Sequence, residues 1–472
     1  MTKIDYEHVK ILHERGEIDA AMQGYIGLLD TRYEDPDILI RLGSCYMQKR
    51  QFGLALNLFM AAGGIDPEEP AVYQNIGTCF RLMSNWDESM KAYRKGIEIA
   101  TKLLREKEGT KDEINIRALL GQIYGNLAGL HVNNSTPKTA LEIYQKGLNI
   151  DPDNPVLQFN QCFGHLEQFQ WKEGWPLYKL GFDVGIRHRR SYKGVPEWDG
   201  SEGKRLIVWG EQGIGDEIMF ASCMPDVMKI SEKVIFDCHP RLAKTFHRSF
   251  GIECHGTRKN AVNVNWLASS GANASVCVSD LAMYFRNDDE DFPGTAYLKA
   301  PQVMLPGNKP CIGISWKGGT VDTRSDVRSM DLHTLKPILE LDADFYSLQY
   351  TEGAAKEVCE FEAASGIHIR HFPQYVECKD YDLTMSTIKS MDLVISVCTS
   401  AVHAAGALGV PCWVLTPSRP AWRYGVQGRR MPWYNSVELF RQKQGNAWGF
   451  VVEEVKGRLE EFLSREKVRK VA

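Results

Sequence analysis

The 472-residue chain has no long hydrophobic run. Nowhere do about 18 or more apolar residues follow one another, so no transmembrane helix is expected. Nor does one sign of charge dominate. Lys and Arg number 56 and Asp and Glu 60, a formal net charge of −4, which argues against a protein whose main task is to grip nucleic acid or an anionic membrane. Twelve cysteines are scattered without one CxxC pair, so reduced thiols in a cytoplasmic protein are expected rather than a disulfide frame or a zinc site. The opening MTKIDYEHVK is too charged for the apolar core of a secretory signal. What is present is 43% hydrophobic and 25% charged residues, enough to bury real cores, and a length that suggests two to four domains at about 100–200 residues each.

The amino-terminal part repeats itself. Gly43, Tyr46, Ala55, Phe59 and Ala62 return about 34 residues later as Gly77, Phe80, Ser89, Tyr93 and Gly96. Ala21 and Tyr25 form a weaker earlier copy. Ala128, Ala140, Tyr144, Gly147 and Pro152 form a later one, and Gly174, Tyr178 and Gly181 continue it. The spacing between Ser89 and Ala140 implies half a repeat inserted near Thr101–Arg117. This is the tetratricopeptide (TPR) pattern: small residues let two antiparallel helices approach, aromatics fill the gap between hairpins, and prolines after a repeat stop its second helix. Asp66-Pro67 and Asp151-Pro152 fall at such ends. Residues 1–182 are therefore expected to form an α-solenoid. Its concave face would hold a peptide or protein, or the array would only brace the rest of the chain.

Residues 183–204, rich in Gly, Pro and charge, read as a linker, with Arg187, Arg189 and Arg190 either touching phosphate or, as short charge runs usually do, lying on a solvated face. Beyond it the period changes. Apolar strand candidates at 206–210, 233–238, 311–316, 344–350, 392–397 and 412–416 alternate with helical stretches, which implies parallel βαβ units. The Pro/Gly stretch 301–310 separates two doubly wound halves, 205–305 and 306–472. Ligands of such sheets sit beyond the carboxyl ends of strands.

Three motifs follow strands directly. The first is GEQGIGDE (210–217), where Gly213 and Gly215 allow a tight turn before a helix. It matches neither GxGxxG nor a P-loop. Asp216 there is either a first-turn helix cap or a general base. The second, SWKGGT…RSDVRS (315–329), offers Trp316, Lys317, Arg328 and Ser329 around two glycines; it suits a diphosphate or is a basic surface loop. The third is CTSAVHAAGALGVP (398–411). Thr399 and Ser400 would cap a helix whose N-terminus faces a phosphate, with His403 one turn in, as a ligand or as a structural histidine. The DxD pairs at Asp289–Asp291 and Asp342–Asp344 read as surface acids rather than metal ligands, His368 and His371 lack a third ligand nearby, and Cys398 reads as an ordinary thiol. The aromatics of 419–434 are either core or neighbours of a sugar or base.

WDG, LIVWGEQGIGDEIMFA, RSMDLHTLKPIL, FYSLQY, DLVISVCTSAVHAAGALGVPCWVL and MPWYNSVELFRQ, in this order behind the repeats, resemble TPR-containing glycosyltransferases of the heptosyltransferase-like GT-B group, found in bacteria and phages. The resemblance runs over the whole chain. It implies a fold of the α + α/β class, with a TPR solenoid followed by two Rossmann-like halves: an acceptor-side half at 205–305 and a donor-side half at 306–472. It further implies a nucleotide-sugar donor as co-substrate, no metal or other cofactor, and transfer to a hydroxyl, with an acceptor protein captured by the repeats. Under the resemblance Asp216 would be the base. Gly213, Gly215, Trp316, Lys317, Arg328, Ser329, Gln349, Thr399, Ser400 and His403 would line the donor site. This chain carries Cys398 where the family has Asp before Thr-Ser, which leaves a non-catalytic adaptor as the alternative, or a transferase acting on a lipid or saccharide.

Overall fold

The computed structural model describes residues 5–134, 136–258, 264–319, 325–376, 381–443 and 447–471. The chain forms two compact units, Met1–Gly164 and His165–Ala472. Residues 320–324 of the second motif lie outside the described residues.

The first unit is helical. Its elements are α1 (Tyr6–Glu14), α2 (Ile18–Leu29), α3 (Pro36–Gln48), α4 (Phe52–Ile65), α5 (Pro70–Leu82), α6 (Trp86–Glu106), α7 (Asp112–Asn133) and α8 (Pro137–Ile150), followed by α9 (Pro155–Leu166), which runs across the unit boundary. They pack in sequential pairs, α1 on α2, α3 on α4, α5 on α6 and α7 on α8, and each pair packs on the next. Proline occupies the first turn of α3, α5 and α8, where its missing N–H costs nothing. The Asp35 and Glu69 side chains cap α3 and α5 by accepting from the backbone. The helices α4 and α8 end two residues before Pro67 and Pro152.

The 34-residue pattern has a packing cause. A Cβ on Gly43 would lie 2.7 Å from the Phe59 ring, and a Cβ on Gly77 would lie 2.6 Å from the Tyr93 ring, so each small residue makes room for the aromatic of its partner helix. Ser89, in the slot held elsewhere by alanine, is fully buried and donates to the Gly77 carbonyl at 2.7 Å. The half repeat expected near Thr101–Arg117 is accommodated by lengthening: α6 has 21 residues and α7 has 22, against 13 or 14 in α3 to α5.

The second unit begins with helix α10 (Trp171–Lys179), which carries the repeat-like Gly174 and Tyr178. It packs within this unit: Trp175 Nε1 donates to the Arg286 carbonyl at 2.6 Å, and the Trp171 and Phe292 rings are 4.7 Å apart. The first sheet contains β1 (Arg205–Trp209), β2 (Lys233–Asp237), β3 (Glu253–His255) and β4 (Ala274–Cys277), ordered β3-β2-β1-β4 and parallel throughout. Helices α11 (Ile214–Phe220), α12 (Met224–Ile230), α13 (Ala243–Phe250), α14 (Leu267–Ser270) and α15 (Leu281–Phe285) connect and flank it.

Residues 292–310 contain no helix or strand. The second sheet then contains β5 (Cys311–Ser315), β6 (Asp344–Ser347), β7 (Leu393–Val397), β8 (Cys412–Thr416) and β9 (Val437–Arg441), ordered β6-β5-β7-β8-β9 and again parallel. Its helices are α16 (Lys336–Leu339), α17 (Ala354–Ser365), α18 (Pro373–Val376), α19 (Tyr381–Lys389), α20 (Ser400–Leu408) and α21 (Gly449–Val471). All six expected strands are present. The strands β3, β4 and β9 were not anticipated.

Every residue of β7 and β8 is buried, as an inner parallel strand covered on both faces must be. The core of this sheet joins Ile312, Ile314, Leu393, Ile395 and Leu415 to Leu335, Ile338, Val452 and Leu459 of the flanking helices. Among the described residues no helix is long and apolar enough to cross a membrane, and all eleven cysteines are unpaired.

The linker expectation needs one correction. Arg187 is not solvated: its side chain is 2% exposed and lies among Glu211, Ser279 and Asp280, as detailed below. Arg190 turns inward too, pairing with the buried Asp237 at 2.9 Å, whereas Arg189 stays at the surface. Carboxylates distant in sequence draw the first two inside.

Candidate functional site at the carboxyl edges of two parallel sheets

Sheet topology selects the loops. From β1 the chain moves one way across its sheet to β2 and β3, then returns to place β4 on the other side of β1. From β5 it moves to β6, then reverses to β7, β8 and β9. Crevices open where the direction reverses, beyond the carboxyl ends of the strands. The loops after β1, β5 and β7 carry the three sequence motifs.

The loop after β1 enters α11. Gly213 is the N-cap, and its N–H donates to Asp216 Oδ2 at 3.3 Å. Asp216 thus does act as a first-turn cap. Its other oxygen, Oδ1, accepts from Arg423 NH2, and the two side chains are 18% and 16% exposed. The neighbouring acid is built differently. Glu217 is fully buried, accepts from the His239 backbone N–H at 2.6 Å and pairs with Arg258 Nε at 2.9 Å, so it anchors α11 to the turn after β2. Arg258 also donates to the carbonyl of Gln212, which sits at φ 59 in the left-handed region.

The loop after β5 is held by Gln349. This residue is fully buried. Its Oε1 accepts from Ser315 Oγ, Trp316 N and Lys317 N at 3.1, 3.0 and 2.9 Å, and its Nε2 donates to the Lys317 carbonyl and Thr351 Oγ1. Its amide is therefore spent on shaping the loop. Trp316 is buried, with Nε1 donating to Glu357 Oε1 at 2.9 Å. Lys317 donates to the other Glu357 oxygen at 2.8 Å. Arg328 Nε donates to the Gly318 carbonyl, and Ser329 Oγ accepts from Gly318 N at 3.1 Å.

The loop after β7 enters α20. Thr399 is its N-cap, accepting from Ala401 N at 3.2 Å and sharing a hydrogen bond with Ser396 Oγ. Ser400 Oγ accepts from Tyr381 OH at 3.0 Å. His403 is buried, and its Nδ1 lies 3.2 Å from Tyr434 OH. Burial, aided by the nearby Arg423 cation, pulls its pKa well below the ordinary histidine value, so the ring is neutral. Burial likewise pushes the Cys398 thiol up to about 11, against the opposing influence of Arg328, Arg423 and Arg441.

These loops meet. A Cβ on Gly318 would stand 2.7 Å from Thr399 Cγ2 and 3.0 Å from the Cys398 carbonyl. A Cβ on Gly215 would stand 3.0 Å from the His403 ring and 3.4 Å from Ser400 Cα. The start of α20 is thus flanked by the glycine turn of the first sheet on one side and the β5 loop on the other. Asp216, Gly215, Gly318, Thr399, Ser400 and His403 are brought together. Lys317, Trp316 and Gln349 are committed to contacts within the second sheet's own layer.

The residue that sequence reasoning missed is Arg423. It follows Trp422 in a segment whose aromatics are core: Trp422, Tyr424, Trp433 and Tyr434 are all buried, and Trp175 lies 5.7 Å from Trp422. Arg441, at the end of β9, clamps this segment by donating to the carbonyls of Gly425 and Gly428 at 2.9 and 2.6 Å. Arg423 lies some two hundred residues from Asp216 and belongs to no spaced motif, so only the tertiary structure reveals the pair.

Both DxD stretches are engaged. Asp289 accepts from Trp171 Nε1 and Arg430, and Asp344 accepts from Arg370 and the amides of Asn308 and Lys309. His368 pairs with Glu362. Among the described residues no three His, Cys, Asp or Glu side chains form a cluster suited to a metal ion.

No family model matches the chain. Protein FlbA of Caulobacter vibrioides is 24% identical over 441 residues, which cover 87% of this chain and 70% of FlbA. Among solved structures, MamA is 15% identical with a TM-score of 0.30, covering 38% of this chain and 94% of MamA. PilF of Pseudomonas aeruginosa is 13% identical with a TM-score of 0.34, covering 47% of this chain and 82% of PilF. YrrB, a TPR protein with an unusual peptide-binding site, is 14% identical with a TM-score of 0.26, covering 34% of this chain and 73% of YrrB. The helical unit is an array of sequential helix pairs whose glycine–aromatic contacts recur from one pair to the next, in keeping with the tetratricopeptide spacing of the sequence.

Proposed function

We propose that the chain is a cytoplasmic GT-B glycosyltransferase that moves a sugar from a nucleotide-sugar donor to a hydroxyl of a protein or peptide held by the repeats. The observation that carries this reading is the convergence of two parallel-sheet switch points on the start of α20, with a partly exposed carboxylate, Asp216, on the facing turn. The chemistry asks for little more. A hydroxyl attacks the anomeric carbon, Asp216 accepts its proton, and negative charge grows on the departing diphosphate. Arg328 and the amide-rich start of α20 offset that charge, a preorganised electrostatic contribution. Neutral His403 stiffens the turn through its contact with Gly215 and leaves no competing positive charge on α20. The stacked helix pairs of the first unit supply an extended surface for a peptide acceptor.

The test is intact-mass measurement of candidate acceptor proteins co-expressed with the chain. A mass increment of one sugar is expected, and it should fall about a hundredfold or more in rate with Asp216→Asn. Transfer at an undiminished rate in that variant would remove the base assignment.

A second reading has its own support. Asp216 is paired with Arg423, Lys317 is paired with Glu357, and Cys398 stands where the resembling family has an acid. A repeat-containing adaptor with a retired transferase site would look the same. Calorimetry with a panel of nucleoside diphosphates separates the two, since the adaptor binds none.

A further inference from the structure

Arg423 leaves part of its guanidinium unused. Its side chain is 16% exposed, and the structure shows one carboxylate partner for it, Asp216, through a single guanidinium nitrogen. Its Nε is buried and has no hydrogen-bond partner among the described residues. By contrast Arg187 and Arg441 each engage three or more oxygen atoms. A planar guanidinium presents paired donors suited to two oxygens of one anion, and here one of those donors is idle.

The surroundings are short of negative charge. The other titratable groups bearing on Arg423 include Tyr424, Tyr178, Tyr434 and Cys398, and burial raises all four, so they stay neutral. Neutral His403 stands nearby. Asp216 is the carboxylate paired with this cation, and it is held by one oxygen while the other caps α11 through Gly213. The segment carrying Arg423 is fixed by buried aromatic packing and by the Arg441 clamp, so the guanidinium stays near the start of α20 when its partner changes.

We propose that Arg423 is a phosphate ligand for the nucleoside diphosphate part of the donor, and that the incoming diphosphate displaces Asp216 from it, so that the carboxylate is freed only once donor is in place. This inference rests on the transferase reading and adds to it an order of binding, donor before acceptor. The exchange makes and breaks no covalent bond: one anion replaces another on the same guanidinium, and a diphosphate brings more charge and two oxygens where Asp216 brings one. An unpaired Asp216 then faces the acceptor hydroxyl.

The exchange predicts an effect of unusual sign. Asp216 competes with the ligand, so removing its charge strengthens binding by lifting the cost of breaking the pair. Isothermal titration calorimetry of the full chain with UDP, GDP, CDP, ADP and inorganic pyrophosphate provides the test. The wild type should bind at least one nucleoside diphosphate. Asp216→Asn should bind it about five- to tenfold more tightly, and Arg423→Gln about tenfold or more weakly, with Arg423→Lys in between. A purely structural ion pair would weaken binding in both variants. Unchanged or weaker binding by Asp216→Asn, in a wild type that binds, overturns the exchange and leaves the transferase reading standing. Binding of no nucleoside diphosphate by the wild type overturns both. Should Arg423→Gln not fold, Asp216→Asn by itself decides the question.

Discussion

The buried arginine of the linker region offers a sharp test of how the second unit is held together. Arg187 donates through Nε to Glu211 at 2.8 Å, through NH2 to Ser279 Oγ at 2.6 Å and Asp280 Oδ1 at 2.8 Å, and through NH1 to the Tyr178 carbonyl at 3.1 Å. Its guanidinium also lies 3.9 Å from the Phe182 ring centroid. Glu211 and Asp280 are 8% and 6% exposed, so Arg187→Met strands two carboxylates where water does not reach them. Breaking a buried pair by removing one partner costs about 3–5 kcal/mol. That is a large fraction of the ~5–15 kcal/mol by which a typical protein is stable.

Urea unfolding followed by tryptophan fluorescence reads the effect in the right place, because ten of the 11 tryptophans lie between Trp171 and Trp448. The pH dependence identifies the cause. Burial already raises the Asp280 pKa in the presence of Arg187, and removing the cation raises it further. A carboxyl whose folded pKa exceeds its unfolded value destabilises at high pH and recovers as it takes up a proton, so the gap between variant and wild type should narrow from pH 7.5 to 5.5. A loss below about 1 kcal/mol, or one that does not change with pH, would refute the reasoning.

Two further predictions concern the start of α20. Gly318→Ala forces a methyl against Thr399 and the Cys398 carbonyl; the β5 loop should shift, lowering stability by about 1–3 kcal/mol and weakening nucleotide binding, and an unchanged thermal midpoint would show that the two loops do not press on each other as described. His403 is held neutral in the folded state, while the unfolded chain protonates it near the ordinary histidine value of about 6.5; stability should therefore fall as pH drops below about 6.5, by at most about 1.4 kcal/mol per pH unit for this one group, and His403→Gln should remove that share of the slope in midpoints measured between pH 7.5 and 5.5.

Much of this protein is legible without coordinates. Helix pairs show in the recurrence of Gly43 and Phe59 as Gly77 and Tyr93, because each contact lies within one hairpin and repeats with it. Inner strands such as β7 and β8 show because both faces are covered and the run is continuously apolar. The strands not expected from sequence give a weaker signal: β3 has only three residues, all half-buried, β4 is buried but only four residues long with a serine in it, and β9 is interrupted by charge at Glu438 and Arg441. Glycine-rich loops after strands mark the candidate site for the same local reason.

Pairing over long distances is not written in any local pattern. Arg187 sits in a stretch that reads as solvated, yet Glu211 and Asp280 meet it from 24 and 93 residues away and draw it inside. Glu217 beside Asp216 turns into the core because Arg258 and the His239 amide await it there. Arg423 reaches Asp216 because a cluster of buried aromatics fixes its segment near the start of α20. Period and composition report what a residue's own helix or strand requires. The partner that a charge finds is settled by how the layers stack, and in a dry interior that partner decides whether the charge is structural or free to act.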